Sequence, residues 1–220
     1  MSSSYFFGGT MEGQKSFKER VKETLISYAQ DYKTYYVDYE YLLCSKAFSN
    51  SAYYVVSAHE DNYLHLTGVH TNLSASTFFQ KCYDGTLEEC DFDFNKDGQK
   101  ESEVKGSVRR KITALGAIMG IFSGGTLAEE DFKKNRIRCA LATSNGNVTL
   151  GFAVVGKAKP MTLLKGNELD SEKAQSFDLV LRKPREETQF NYIVVGNNEV
   201  LKVYKETLGS LVDEKLYEED

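Results

Sequence analysis

All three histidines of this 220-residue chain fall within twelve residues, at His59, His65 and His70. Imidazole ordinarily exchanges a proton near neutral pH, so such a cluster suits either a metal centre or general acid–base work. A zinc centre needs three or four converging ligands. Spacings of six and five place the three rings on no common helical face, and no cysteine or carboxylate has an evident fourth place. The residues therefore point to a metal-free acid–base role for one histidine, with no cofactor implied. A histidine that packs or caps within the core is the competing reading. The candidate is His65, which shares the segment Asn62-Tyr63-Leu64-His65-Leu66-Thr67-Gly68-Val69 with Thr67. That segment follows a strand-like run at 52–57 and precedes a helix-like run at 74–83. Turns between rigid elements are where chemistry is commonly carried.

Cleavage of RNA without a metal needs a base for the 2′-hydroxyl, an acid for the 5′-oxygen and cations for the charge that builds on phosphorus. Lys81, at the end of the helix-like run, and Arg182, at the end of a late strand-like run, are candidate cations beside His65 and Thr67. A second motif imitates a calcium loop. Asp93, Asn95 and Asp97 stand at its first, third and fifth positions and Gly98 at its sixth. The twelfth position, which should hold a bidentate Glu, is Val104, with Glu103 one residue early. The competing reading is a charged surface turn. Phosphate-loop, dinucleotide-binding and serine-hydrolase motifs are absent from the sequence. Gly116, Gly120, Gly124 and Gly125 read as room for close packing rather than as a phosphate loop.

Charge is segregated along the chain. The whole carries −5, from 27 basic and 32 acidic residues. Residues 104–165 hold eleven basic and three acidic residues, a local +8 that leaves −13 elsewhere. Arg109, Arg110, Lys111, Lys133 and Lys134 lie in this basic stretch and are the candidate nucleic-acid contacts. Folding decides whether they share one surface. No apolar run approaches the length of a membrane span. The first ten residues lack the basic and apolar regions of a secretory signal, and the four cysteines form no C-x-x-C pair. Reduced thiols and a cytoplasmic protein with no membrane contact are expected.

The elements that must position these residues follow from periodicity. Phe17, Val21, Leu25 and Tyr28 mark a helix capped by Ser16, with Glu19 completing a capping box. Alternation over 35–43 and the run at 52–58 predict two strands, joined through Ser49-Asn50-Ser51. Helices are expected at 74–83, at 107–122 and at 127–135, the last capped by Thr126 and Glu129. Strands at 137–143 and 148–154 flank Asn145-Gly146, a strong hairpin signal. A further strand pair is expected at 176–182 and 191–195. The expected layout is α+β, with helices packed on one side of an antiparallel sheet. It forms a single domain over 15–211, with a charged insertion at 88–105. Residues 1–14 read as an N-terminal arm, with Met11 an alternative start, and 212–220 as a frayed acidic tail.

The tyrosine-rich strand region at 35–43, Tyr53-Tyr54-Val55-Val56 and the His65-Leu66-Thr67-Gly68 segment resemble the opening of the phage-associated Barnase–EndoU–colicin–RelE-like nuclease domains. Phe177-Asp178-Leu179-Val180-Leu181 and Phe190-Asn191-Tyr192-Ile193-Val194-Val195 resemble the sheet that closes them. The resemblance implies metal-independent endoribonuclease activity that leaves 2′,3′-cyclic phosphate ends. It also implies a phage or mobile-element setting, as a toxin or counter-defence protein. His65 would be the acid or base and Thr67 a phosphate or hydroxyl contact. RNA is then the expected substrate, with an antitoxin or host defence component as a protein partner. The rival expectation is a non-catalytic inhibitor of a host defence system on the same scaffold.

Overall fold

The computed structural model describes residues 15–218. The expected arm at 1–14 lies outside the described residues. Helix α1 (Phe17–Tyr32) starts where the Ser16 hydroxyl accepts the Glu19 N–H at 3.0 Å, as the capping pattern predicts. Its Val21, Leu25, Ala29 and Tyr32 are buried on one stripe. The chain then widens into a π-helical turn, Lys33–Val37. This turn carries Tyr36 into the core, where its hydroxyl donates to the Ile118 carbonyl at 2.6 Å. The strand expected from residue 35 therefore begins only at Tyr39.

Strand β1 (Tyr39–Cys44) lies inside the sheet, between β2 (Tyr54–Ser57) and β8 (Leu179–Pro184). Nearly every residue of β1 is buried, because both of its faces are covered. Tyr41 and Leu43 join the main core with α1, α2 (Asn62–Thr67), α3 (Ala75–Tyr83) and α4 (Glu101–Leu115). Leu42 and Cys44 join a second core with Phe190, Leu201, Tyr204 and Leu208. Leu201 and Leu208 belong to α5 (Asn198–Val203) and α6 (Lys205–Leu208). Helices thus cover both faces of β1, not one side of the sheet as expected.

The remaining strands are β3 (Leu127–Lys134), β4 (Ile137–Ser144), β5 (Val148–Val155), β6 (Lys157–Lys165), β7 (Gln175–Ser176) and β9 (Tyr192–Val195). Among the described residues, nine strands form one sheet in the order β7-β3-β4-β5-β6-β2-β1-β8-β9. Neighbours are antiparallel except β2 and β6, which run parallel and meet at Val56 and Ala158. The α+β layout holds, but the sheet is mixed rather than antiparallel. A parallel neighbour requires a long crossover, and the chain between β2 and β6 supplies it.

Two expected helices are corrected. Residues 127–134 form β3, paired to β4 at every position but Asp131. Thr126 does not cap a helix there; its hydroxyl donates to the Ile121 carbonyl. The helix expected at 107–122 runs instead over Glu101–Leu115. It ends beside Gly116, where an added Cβ would lie 2.6 Å from the Tyr28 hydroxyl, so α1 approaches too closely for a side chain. The stretch read as a charged insertion buries Phe92 and Phe94 and runs into the first turn of α4. Within the expected frayed tail, Val212 and Leu216 are buried in the second core. The predicted hairpins at 49–51 and 145–146 and the pairing of the last two long strands are present.

Candidate nucleic-acid interface

The segment read as a chain turn is a short helix, α2, that ends in left-handed Gly68 at φ +77°. His65 lies in its last turn and is exposed. A helix end leaves carbonyls without intrahelical donors. The Lys111 ammonium of α4 fills that need, donating to the His65 carbonyl at 2.9 Å. The Lys111 stem lies so close to the helix end that a Cβ on Gly68 would come within 2.8 Å of Lys111 Cδ. Burial, with the Lys96 charge adding to it, pulls the Lys111 ammonium down to about 8.

Lys111 also lines a groove of about 300 Å3 between α4 and the ends of β3, β4 and β6. Arg110, Lys134 and Lys165 line the same groove, and Glu168 is its acidic member, paired with Lys134 at 2.7 Å. Four cations against one carboxylate make this a positively charged concavity, suited to a phosphate backbone. The basic stretch of the sequence therefore does converge in part. Arg109 and Lys133 are not among the groove's lining residues. Arg109 sits over the Phe17 ring, 5.2 Å from its centroid, and Lys133 stands opposite Arg138 across the β3–β4 ladder. Lys165 belonged to the basic stretch but could not be singled out from sequence, because only the β6 register brings it to α4.

The remaining candidates have other surroundings. Thr67 is fully buried, and its hydroxyl donates to the Leu64 carbonyl at 2.8 Å. It closes the helix and is not open to a phosphate. Lys81 is held by Asp91 at 2.6 Å. Arg182 lies between the rings of Tyr39 and Tyr192, 4.5 and 4.8 Å from their centroids. The other two histidines do not join His65. His59 is exposed, and its backbone N–H donates to Asn62 Oδ1. His70 Nδ1 lies 3.0 Å from Asp93 Oδ1.

The calcium-like loop is likewise put to structural use. Asp93 Oδ1 accepts the Asn95 N–H and faces His70, while Val104, at the twelfth position, is buried on α4. Among the described residues, no three His, Cys, Asp or Glu side chains gather where they could hold a metal.

One charged centre escaped sequence reading altogether. Glu40 of β1 is 3% exposed. Lys157 reaches its Oε1 at 2.6 Å and Lys183 its Oε2 at 3.1 Å, with Arg185 at 3.9 Å. Burial pushes this carboxyl up, but hydrogen bonds from Lys157, Ser57 and Lys183 outweigh it and hold the group at about 2. Nothing in the alternation of tyrosines around Glu40 marks it as a charge centre, since its partners come from β2, β6, β8 and the turn after β8.

Among the described residues, no helix is long and apolar enough to cross a membrane. Neither a curated protein nor a solved structure gives a match to this chain. A family model described as phage-Barnase-EndoU-ColicinE5/D-RelE like nuclease4 matches residues 24–220, running through both the charged stretch and the tail. With nearly its whole length matched, and with helices packed on a large mixed sheet, the chain belongs to this nuclease-like family.

Proposed function

We propose that the protein is a metal-independent endoribonuclease that grips RNA in the groove between α4 and β6 and uses His65 at its border. The observation that carries this reading is the Lys111 contact. One side chain lines the basic groove and also fastens the end of the helix that bears the exposed His65. Membership of a nuclease-like family supports the reaction class. In this reading Arg110, Lys134 and Lys165 hold phosphates, and Lys111 adds charge while fixing α2. The His65 imidazole takes or gives the proton as the 2′-hydroxyl attacks phosphorus and the 5′-oxygen leaves. Thr67 acts through the helix turn it closes.

The test is incubation of the protein with mixed cellular RNA in EDTA, followed by analysis of the fragment ends. Fragments ending in 2′,3′-cyclic phosphate are expected. Fragments with 3′-hydroxyl ends, or cleavage only when a divalent metal is restored, would contradict the mechanism. Intact RNA would turn the reading to a binding protein on a nuclease-like scaffold, with a host or antitoxin protein as its partner.

A further inference from the structure

A second groove, of about 670 Å3, shares no lining residue with the basic one. That volume is ordinary for a small-molecule site. It opens where the sheet is least tied together. Strands β2 and β6 meet at only one register pair, Val56 with Ala158, and the β3–β4 ladder skips Asp131 and Ala140, which both line the groove. Its wall includes Tyr53, which packs at the edge of the second core.

Asn50, Tyr54 and Asp131 of its lining are tied together around Glu130, whose carboxylate clamps the β1–β2 turn. It accepts from the Ser49 N–H at 2.7 Å, the Ser49 hydroxyl at 2.9 Å, the Asn50 N–H at 3.1 Å and the Tyr54 hydroxyl at 2.6 Å. Beside it Asp131 adopts φ +53°, a left-handed conformation that non-glycine residues rarely hold without a reason. Asn50 Nδ2 donates to Asp131 Oδ2 at 2.9 Å, which engages one of the two carboxylate oxygens. Lys157 also lines the groove. Its side chain is about half exposed, at 52%, although it reaches Glu40. Lys183, itself buried, already neutralises Glu40, so Lys157 and Arg185 bring positive charge beyond what that carboxylate needs. The lining of the groove therefore includes a lysine, an aspartate and a tyrosine.

We propose that this groove binds a nucleotide, with the phosphate at Lys157, the base against Tyr53 and a donor on the base edge at Asp131. An aromatic ring takes any base face, an ammonium takes phosphate, and a carboxylate accepts from an exocyclic amino group such as cytosine N4. Binding at this groove does not depend on cleavage at His65, so the two readings stand or fall separately.

The experiment is titration of the protein with cytidine and uridine 5′-monophosphates, followed by calorimetry. Uracil replaces the cytosine amino donor with a carbonyl, so cytidine monophosphate is expected to bind roughly fivefold tighter. Asp131→Asn, which suits the same backbone conformation, should remove that preference without lowering Tm. Lys157→Gln should weaken cytidine monophosphate roughly tenfold and leave cytidine itself unchanged. Tyr53→Ala should weaken both roughly tenfold. Lys133→Ala, at a lysine that lines neither groove, should bind as wild type. Absence of binding at about 10 mM, far weaker than any useful site, would overturn the proposal. So would loss of binding in Arg110→Ala with retention in Lys157→Gln, which would assign the nucleotide to the basic groove.

Discussion

Lys111 and Glu40 respond to burial in opposite ways, and each sets a pH dependence. The ammonium of Lys111 is brought down to about 8 from an ordinary value of 10.5. Below pH 8 both folded and unfolded chains carry this proton, so the cost of burying the charge is fully present. Between about pH 8 and 10.5 the unfolded chain holds the proton better, and this group's contribution to stability rises with pH. The charge available to RNA falls over the same window. RNA affinity, followed by fluorescence anisotropy, should therefore weaken above pH 8, and Lys111→Met should remove that step.

Glu40 runs the other way. Its folded carboxyl titrates at about 2 against an ordinary 4.5, so its stabilising effect is complete above pH 4.5 and is lost as pH falls toward 2. Glu40→Gln leaves the buried Lys183 without its counter-charge and should cost about 3 kcal/mol in urea unfolding at pH 7. Neither residue's environment is written in its neighbours along the chain. The same holds for Thr67, Lys81 and Arg182. They have the right chemistry by type, but burial, Asp91 and two tyrosine rings give them other surroundings.

Among the elements, those bounded by local signals were legible and those decided by tertiary pairing were not. Ser16 and Ser74 cap α1 and α3 through their own hydroxyls, and Asn145 Oδ1 accepts from the Asn147 and Val148 N–H groups in the β4–β5 turn. Such contacts lie within a few residues and leave a pattern. Strand β3 leaves a misleading one. Its Leu-Ala-Glu-Glu-Asp-Phe-Lys-Lys composition favours a helix by intrinsic propensity. Its acids instead serve distant partners, Glu129 accepting the Asp170 N–H and Glu130 the turn at 49–50. Pairing with β4 prevails over the local preference. Helix α2 is too short to be stable alone and depends on its ending. Gly68→Ala would force a side chain both into the left-handed region and against Lys111 Cδ. It should lower stability by about 1–2 kcal/mol and reduce RNA cleavage along with it, as thermal melts and the cleavage assay would show.

At the scale of the molecule, an acidic protein concentrates its positive charge in one basic stretch, and the fold gathers part of that stretch into a groove. The candidacy of Arg110, Lys111 and Lys134 was legible as segregated charge, whereas their convergence, the arrival of Lys165 and the exclusion of Arg109 depended on how α4 meets β6 and α1. If the groove carries the phosphates, Arg110→Ala and Lys134→Ala should each weaken binding of unrelated RNA sequences alike. Each should also reduce the slope of log affinity against log salt by about one contact. Lys133→Ala, outside the groove, should change either much less.

The central claim is that His65 performs proton transfer at the border of this groove. His59 offers a matched control, since it is also exposed and lies six residues away. The decisive measurement is single-turnover cleavage of RNA in EDTA by wild type, His65→Ala and His59→Ala, with thermal melts confirming that all three fold. The account predicts that His65→Ala loses about a hundredfold or more in rate while His59→Ala stays near wild type. Equal rates for wild type and His65→Ala would contradict it.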